Sequence, residues 1–110
     1  MEEKDIAPIE IDLGIARRGE IDESFLAMFG GALKYLMGSM FGGASVPVNV
    51  TGTKSEIGAF SKALSREKSY IKTAAKHGLN NPRTYKDKFK LRKAVDAFQR
   101  KTGLKWPFKG

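Results

Sequence analysis

The sequence predicts a mainly α-helical fold, and three observations carry that expectation. Two long C-terminal stretches place apolar residues at helical spacing between clear cap signals. Between Phe25 and Thr53 the only charge is Lys34, and the large apolar residues there fall on one side of a helix. Period-two alternation is confined to two short segments, 9–15 and 46–51. The expected architecture is an apolar helix over about 24–41, a basic helical hairpin with arms over 54–77 and 82–102, and one or two short β segments.

Ile9, Ile11, Leu13 and Ile15 alternate with Glu10, Asp12 and Gly14, which reads as a half-buried strand. A lone strand is not stable in water and needs a partner. Val46, Val48 and Val50 supply one, with Pro47 limiting that segment to an edge. The sharper alternative adds Ile9–Ile15 as an arm to a neighbouring subunit's sheet. Pairing within the chain is favoured.

Asp22 or Ser24 can cap the apolar helix. Leu26, Phe29, Leu33, Leu36, Met37 and Met40 form its core stripe, and Ala27, Gly31, Lys34 and Gly38 line the other side. Glycine within a helix costs about 1 kcal/mol relative to alanine. Gly30, Gly31 and Gly38 therefore require a compensating contact or a break in the helix. The length would allow a membrane span, but Lys34 near its centre would cost roughly 2.5–3.5 kcal/mol on insertion scales. A soluble, packed helix is favoured over a membrane span. Gly42-Gly43-Ala44-Ser45 then acts as a flexible link.

Thr53-Lys54-Ser55-Glu56 is a capping box. Ile57, Phe60, Leu64, Ile71 and Ala74 follow at helical spacing, and His77-Gly78-Leu79 is a glycine stop with a left-handed turn. Asn81 caps the next helix with Pro82 at its first position. Leu91, Val95 and Phe98 share a face, and Thr102-Gly103-Leu104 ends it.

Charge divides the chain. Residues 1–50 hold eight acids and four bases, a net of −4; residues 51–110 hold sixteen bases and four acids, a net of +12. The expected organisation is an acidic and apolar assembly arm over 1–52, and over 53–110 an autonomous basic hairpin with an aromatic tail. Ile9, Ile11, Leu13, Ile15, Ala27, Gly31, Gly38 and Phe108 are the candidate assembly contacts. Lys62, Arg66, Lys76, Lys86, Lys90, Lys93, Arg100 and Lys101 are the candidate contacts to a polyanion: helical geometry groups Lys62, Arg66 and Lys76 on one helix and Lys86, Lys90, Lys93 and Arg100 on the other, and the two groups make one basic stripe if those faces coincide.

Catalysis finds little support. The chain has no cysteine and one histidine, His77, placed where an imidazolium would favour a helix C-terminus. No metal-ligand spacing occurs, and Gly52-Thr53-Lys54-Ser55 lacks the upstream glycine of a phosphate loop. No cofactor, metal or enzymatic activity is expected. The start of the chain has no secretory pattern. In the tail, Trp106 is expected to fold back onto the hairpin core with Leu104. The alternative for the tail aromatics is an anchor in a partner's pocket or a stacking platform for bases, and for Phe108 the core and that alternative stand equally.

Gly52-Thr53-Lys54-Ser55, His77-Gly78-Leu79-Asn80-Asn81-Pro82 and the ending Lys101-Thr102-Gly103-Leu104-Lys105-Trp106-Pro107-Phe108-Lys109 resemble a family of small, uncharacterised proteins of tailed bacteriophages. The resemblance covers residues 52–109. It implies a virion component or a phage accessory protein, located in the particle or the host cytoplasm. Its partners would be other subunits (copies of itself or other virion proteins), with DNA or RNA held through phosphates. The expected function is structural assembly; the alternative is a stand-alone nucleic-acid-binding protein.

Overall fold

A computed structural model describes residues 8–43 and 46–108. Ala44 and Ser45 of the expected link, and Lys109 of the tail, lie outside the described residues. The order of elements is β1 (Ile9–Asp12), α1 (Glu23–Gly42), β2 (Val48–Thr51), α2 (Lys54–His77) and α3 (Pro82–Thr102). The protein is mainly α-helical, with a helical hairpin and a small sheet.

β1 and β2 pair with each other in parallel, Ile9 opposite Val48 and Asp12 opposite Thr51. Parallel strands cannot be joined by a tight turn and need a crossover, commonly a helix. Here α1 is that crossover, so strand, apolar helix and strand form one βαβ unit. The strand is shorter than the alternation over 9–15 suggests. The Asp12 carboxylate accepts the Gly14 N–H at 3.0 Å and turns the chain. One further ladder bond, from Leu13 N–H to the Thr51 carbonyl at 2.8 Å, ends the pairing. Ile15 therefore lies in the following turn rather than in the strand.

The caps fall where their chemistry demands. Asp22 accepts from the Phe25 N–H at 2.8 Å and starts α1. Thr53 and Glu56 form the reciprocal capping box of α2, with bonds of 3.1 and 2.8 Å. Asn81 accepts from Arg83 N–H at 2.9 Å, with Pro82 in the first turn of α3. Gly103 stops α3 in the left-handed region at φ 74°, and a Cβ there would also lie 3.2 Å from the Ala16 Cβ. Gly78 differs: its φ of 84° is positive but its ψ of 165° is extended, so the chain leaves α2 without a left-handed helical turn. The Thr84 hydroxyl donates to the Gly78 carbonyl at 2.6 Å and secures that connection.

A single core joins the two halves of the sequence. Ile11, Leu13, Phe29, Leu33 and Leu36 pack in one cluster with Phe60, Ala63, Ala94, Phe98, Leu104 and Trp106. The expected division at residue 53 into an arm and an autonomous hairpin is thus not a division of the core. A polar clamp crosses the same boundary. The Arg17 guanidinium grips Glu56 with two of its nitrogens, Nε donating to Oε2 at 3.2 Å and Nη2 to Oε1 at 3.1 Å, while Glu56 is also capping α2. Gly52 permits this closeness, since a Cβ there would meet a Glu56 oxygen at 2.9 Å.

Trp106 folds back as expected. Its ring stands edge-on to Phe98 at 5.2 Å and to Phe60 at 6.3 Å. Its indole N–H donates to buried Glu67 at 2.8 Å. Phe108 is half-buried, 5.8 Å from Trp106, and packs against the core.

Candidate polyanion-binding groove

α2 and α3 are joined by four residues, 78–81, and lie side by side with Thr73 donating to Asp87 across the pair. This pairing sets the register in which their basic residues meet. Lys62 and Arg66 are one turn apart on α2, and Lys90 and Lys93 are one turn apart on α3. The four line an open groove of about 370 Å³, with Ala94 and Ala97 as its small apolar floor. No acidic side chain is among the residues lining it. The alanines matter as much as the cations: a large side chain at position 94 or 97 would fill the space between the two basic rims.

The remaining predicted cations extend this surface instead of lining the groove. Lys86 is exposed one turn before Lys90. Arg100 and Lys101 are exposed in the last turn of α3, on the side that carries Lys93 and Ala97. Lys76 is exposed in the last turn of α2, nearly four turns beyond Lys62. The groove thus continues into cations at both ends of the hairpin.

The nearby acids are held elsewhere. Arg17, through its hydrogen bonds, holds the Glu56 carboxyl below the usual range, and the Thr53 N–H assists. Burial pushes Glu67 in the other direction, up, against the opposing bond from Trp106. Asp87 accepts from Thr73, and Asp96 lies on a different cleft with Lys88 and Arg92. Among the described residues, the ion pairs are Arg17–Glu56, Arg18–Asp12 and Arg18–Glu20, so none involves a groove cation. Arg18, by hydrogen bonding, also holds Asp12 below the usual carboxylate range.

The candidate assembly residues divide into two groups. Ile11 and Leu13 are buried in the chain's own core at 3 % and 0 % exposure, and are not available to a neighbour. Ile9 and Ile15 are partly buried and pack against the same core, as does Phe108. Ala27, Gly31 and Gly38 are exposed, and a Cβ added at Gly31 or Gly38 would meet nothing within 4 Å. α1 nevertheless runs unbroken through them, so the compensating contact expected for these glycines does not come from the described residues of this chain. The core stripe of α1 is Phe29, Leu33, Leu36 and Met37, with Met40 half-buried; Leu26 is exposed, contrary to its expected place in the stripe.

Two features escaped the sequence reading. The Arg17–Glu56 clamp joins residues 39 apart, and no local pattern signals it. Tyr85 and Phe89, one turn apart on α3, are 56 % and 62 % exposed. Their spacing was visible, but their exposure depends on which face α2 covers.

Among the described residues no helix is long and apolar enough to cross a membrane, and no cluster of acidic or histidine side chains could hold a metal ion. No protein-family model, curated protein or solved structure matches this chain.

Proposed function

We propose that this protein is a non-enzymatic binding protein that holds the phosphates of a nucleic acid in the groove between α2 and α3. The observation that supports the reading most is the convergence of Lys62, Arg66, Lys90 and Lys93 on one groove without an acid among them. Four cations that share one groove, with no ion pair to any of them among the described residues, repel one another, and a polyanion relieves that repulsion while releasing its own counterions. The groove has no base-reading element, so binding is expected to be insensitive to sequence.

Fluorescence anisotropy with a labelled oligonucleotide, repeated across salt concentrations, tests this. Each engaged cation contributes about 0.7 to the log–log salt slope on a single strand and about 0.9 on a duplex. Neutralising Lys62→Gln and Lys90→Gln together should lower the slope by about 1.4–1.8. An unchanged slope would refute the groove as the binding site.

A second reading, a structural component of a phage particle docking on neighbouring subunits, is supported by the uncovered side of α1. Met28 and Tyr35 there are 72 % and 57 % exposed beside open Gly31 and Gly38. The two readings are compatible, since a particle protein can hold both a neighbour and the genome. Sedimentation across a concentration series tests the second: self-association weakened by Gly31→Leu supports it, and a monomer throughout, absent from purified particles, overturns it.

A further inference from the structure

We infer that the nucleic acid is single-stranded, and that Tyr85 and Phe89 stack its bases beside the groove that holds its phosphates. This inference rests on the groove reading above and adds to it the class of strand. The two rings project from α3 one turn apart, and both are more than half exposed. Isolated exposed apolar residues are ordinary. Two aromatics on one helical flank next to a basic groove are a different arrangement, because they offer flat faces where phosphates are already attracted.

Lys93 joins the two features. Its side chain lines the groove, and its ammonium also lies 5.2 Å from the Phe89 ring centroid. Phosphate and base contacts are therefore within reach of one nucleotide. Lys86 and Lys90 continue the basic edge alongside the rings. Tyr85 is steadied by a hydrogen bond between its hydroxyl and Asn80 Oδ1 at 3.3 Å, which limits the ring's freedom at the base of α3.

Spacing decides between strand classes. Residues one turn apart on a helix are separated by about 6 Å along its axis. Bases in a duplex rise about 3.4 Å per step and have their faces covered by their neighbours. Rings about 6 Å apart suit successive bases of an extended, unstacked strand. Base–aromatic stacking is also tolerant of sequence, since every base has a π-face. That matches a groove with no base-reading side chains. Trp106 cannot serve as this platform, because it is buried and bonded to Glu67.

The test compares a labelled single-stranded oligonucleotide, a duplex of matched length, inorganic polyphosphate and polyglutamate on the full chain. Wild type is expected to bind the single strand best. Phe89→Ala and Tyr85→Ala should each weaken single-strand binding about tenfold, and leave duplex and polyphosphate binding unchanged. Phe89→Trp should restore it. Both rings are exposed, so unchanged circular dichroism is expected for these variants. Equal losses on the single strand and polyphosphate, or no loss on either, would overturn the stacking role while leaving the groove in place. Polyglutamate bound as tightly as the single strand, and weakened by Phe89→Ala, would assign the surface to an acidic protein instead. Failure of every polyanion to bind would overturn the groove reading itself.

Discussion

Replacing Trp106 should remove a large share of this protein's stability. The indole packs against Phe98 and Phe60, is 8 % exposed, and gives its N–H to Glu67. Truncating such a ring to alanine costs about 3–5 kcal/mol. A small domain has only about 5–15 kcal/mol in total, so Trp106→Ala should be marginally folded at best. Trp106→Phe isolates the polar part. It keeps most of the aromatic burial and leaves the buried Glu67 carboxyl without its donor, at about 1–3 kcal/mol. Adding Glu67→Leu to Trp106→Phe should recover part of that loss, because a carboxyl with no partner is then replaced by an apolar group. Urea unfolding followed by far-UV circular dichroism reads all four proteins, including the three without tryptophan. A loss below about 1 kcal/mol for Trp106→Ala would be far under the cost of a buried ring. It would refute the claim that the tail closes the hairpin core.

Stability should depend on pH through groups of opposite sign. Glu56 and Asp12 have lowered folded pKa values, so the stability they supply is present above the ordinary carboxylate range and is lost as pH falls through their folded values. Glu67 has a raised value, so its contribution is present below the ordinary range and is lost as pH rises through the folded value. Glu56→Gln should flatten the acid limb of a urea-midpoint profile, and Glu67→Gln should raise the midpoint at neutral pH; a lowered neutral midpoint for Glu67→Gln would contradict the sign. Gly31→Ala and Gly103→Ala should also separate. The first sits in open space in a helix and should stabilise by about 0.5–1 kcal/mol; the second forces a Cβ into a left-handed turn and should destabilise by at least about 1 kcal/mol. Thermal melts check the pair, and equal shifts would contradict the two backbone assignments.

Local chemistry was legible in the sequence, and long-range geometry was not. The capping box at Thr53–Glu56 and the Asn81–Pro82 start each lie within a few residues, so both arms of the hairpin could be bounded from the sequence. The strand at Ile9 was less legible. Alternation continues to Ile15, but the Asp12 side chain competes for the Gly14 N–H and ends it early. The placement of Trp106 could be argued from its aromatic bulk and neighbouring Leu104. The buried carboxylate that receives its N–H could not, because Glu67 looks like any other charge on a basic helix until α3 and the tail cover it. The groove was half legible. Spacing placed Lys62 with Arg66 and Lys90 with Lys93, but their meeting depends on the register between two helices.

The charge asymmetry takes on a more specific meaning once the acids are located. A basic helix kept only for solubility would be expected to intersperse both signs on its exposed faces. Here Glu56 and Glu67 are buried in bonds to Arg17 and Trp106, and Asp87 is bonded to Thr73. Asp96 lies on the cleft with Lys88 and Arg92, away from the groove. None of the four acids of the C-terminal half is therefore among the side chains lining the groove. The fold uses Glu56 for a cap and a clamp, Glu67 for tail closure and Asp87 for a bond across the hairpin, and these uses withdraw three of the four from the face where Lys62, Arg66, Lys90 and Lys93 meet. The same contacts that make the hairpin stable thus leave its groove positive. This is why loss of the Arg17 or Trp106 contacts should disturb the fold before it changes the charge of the groove.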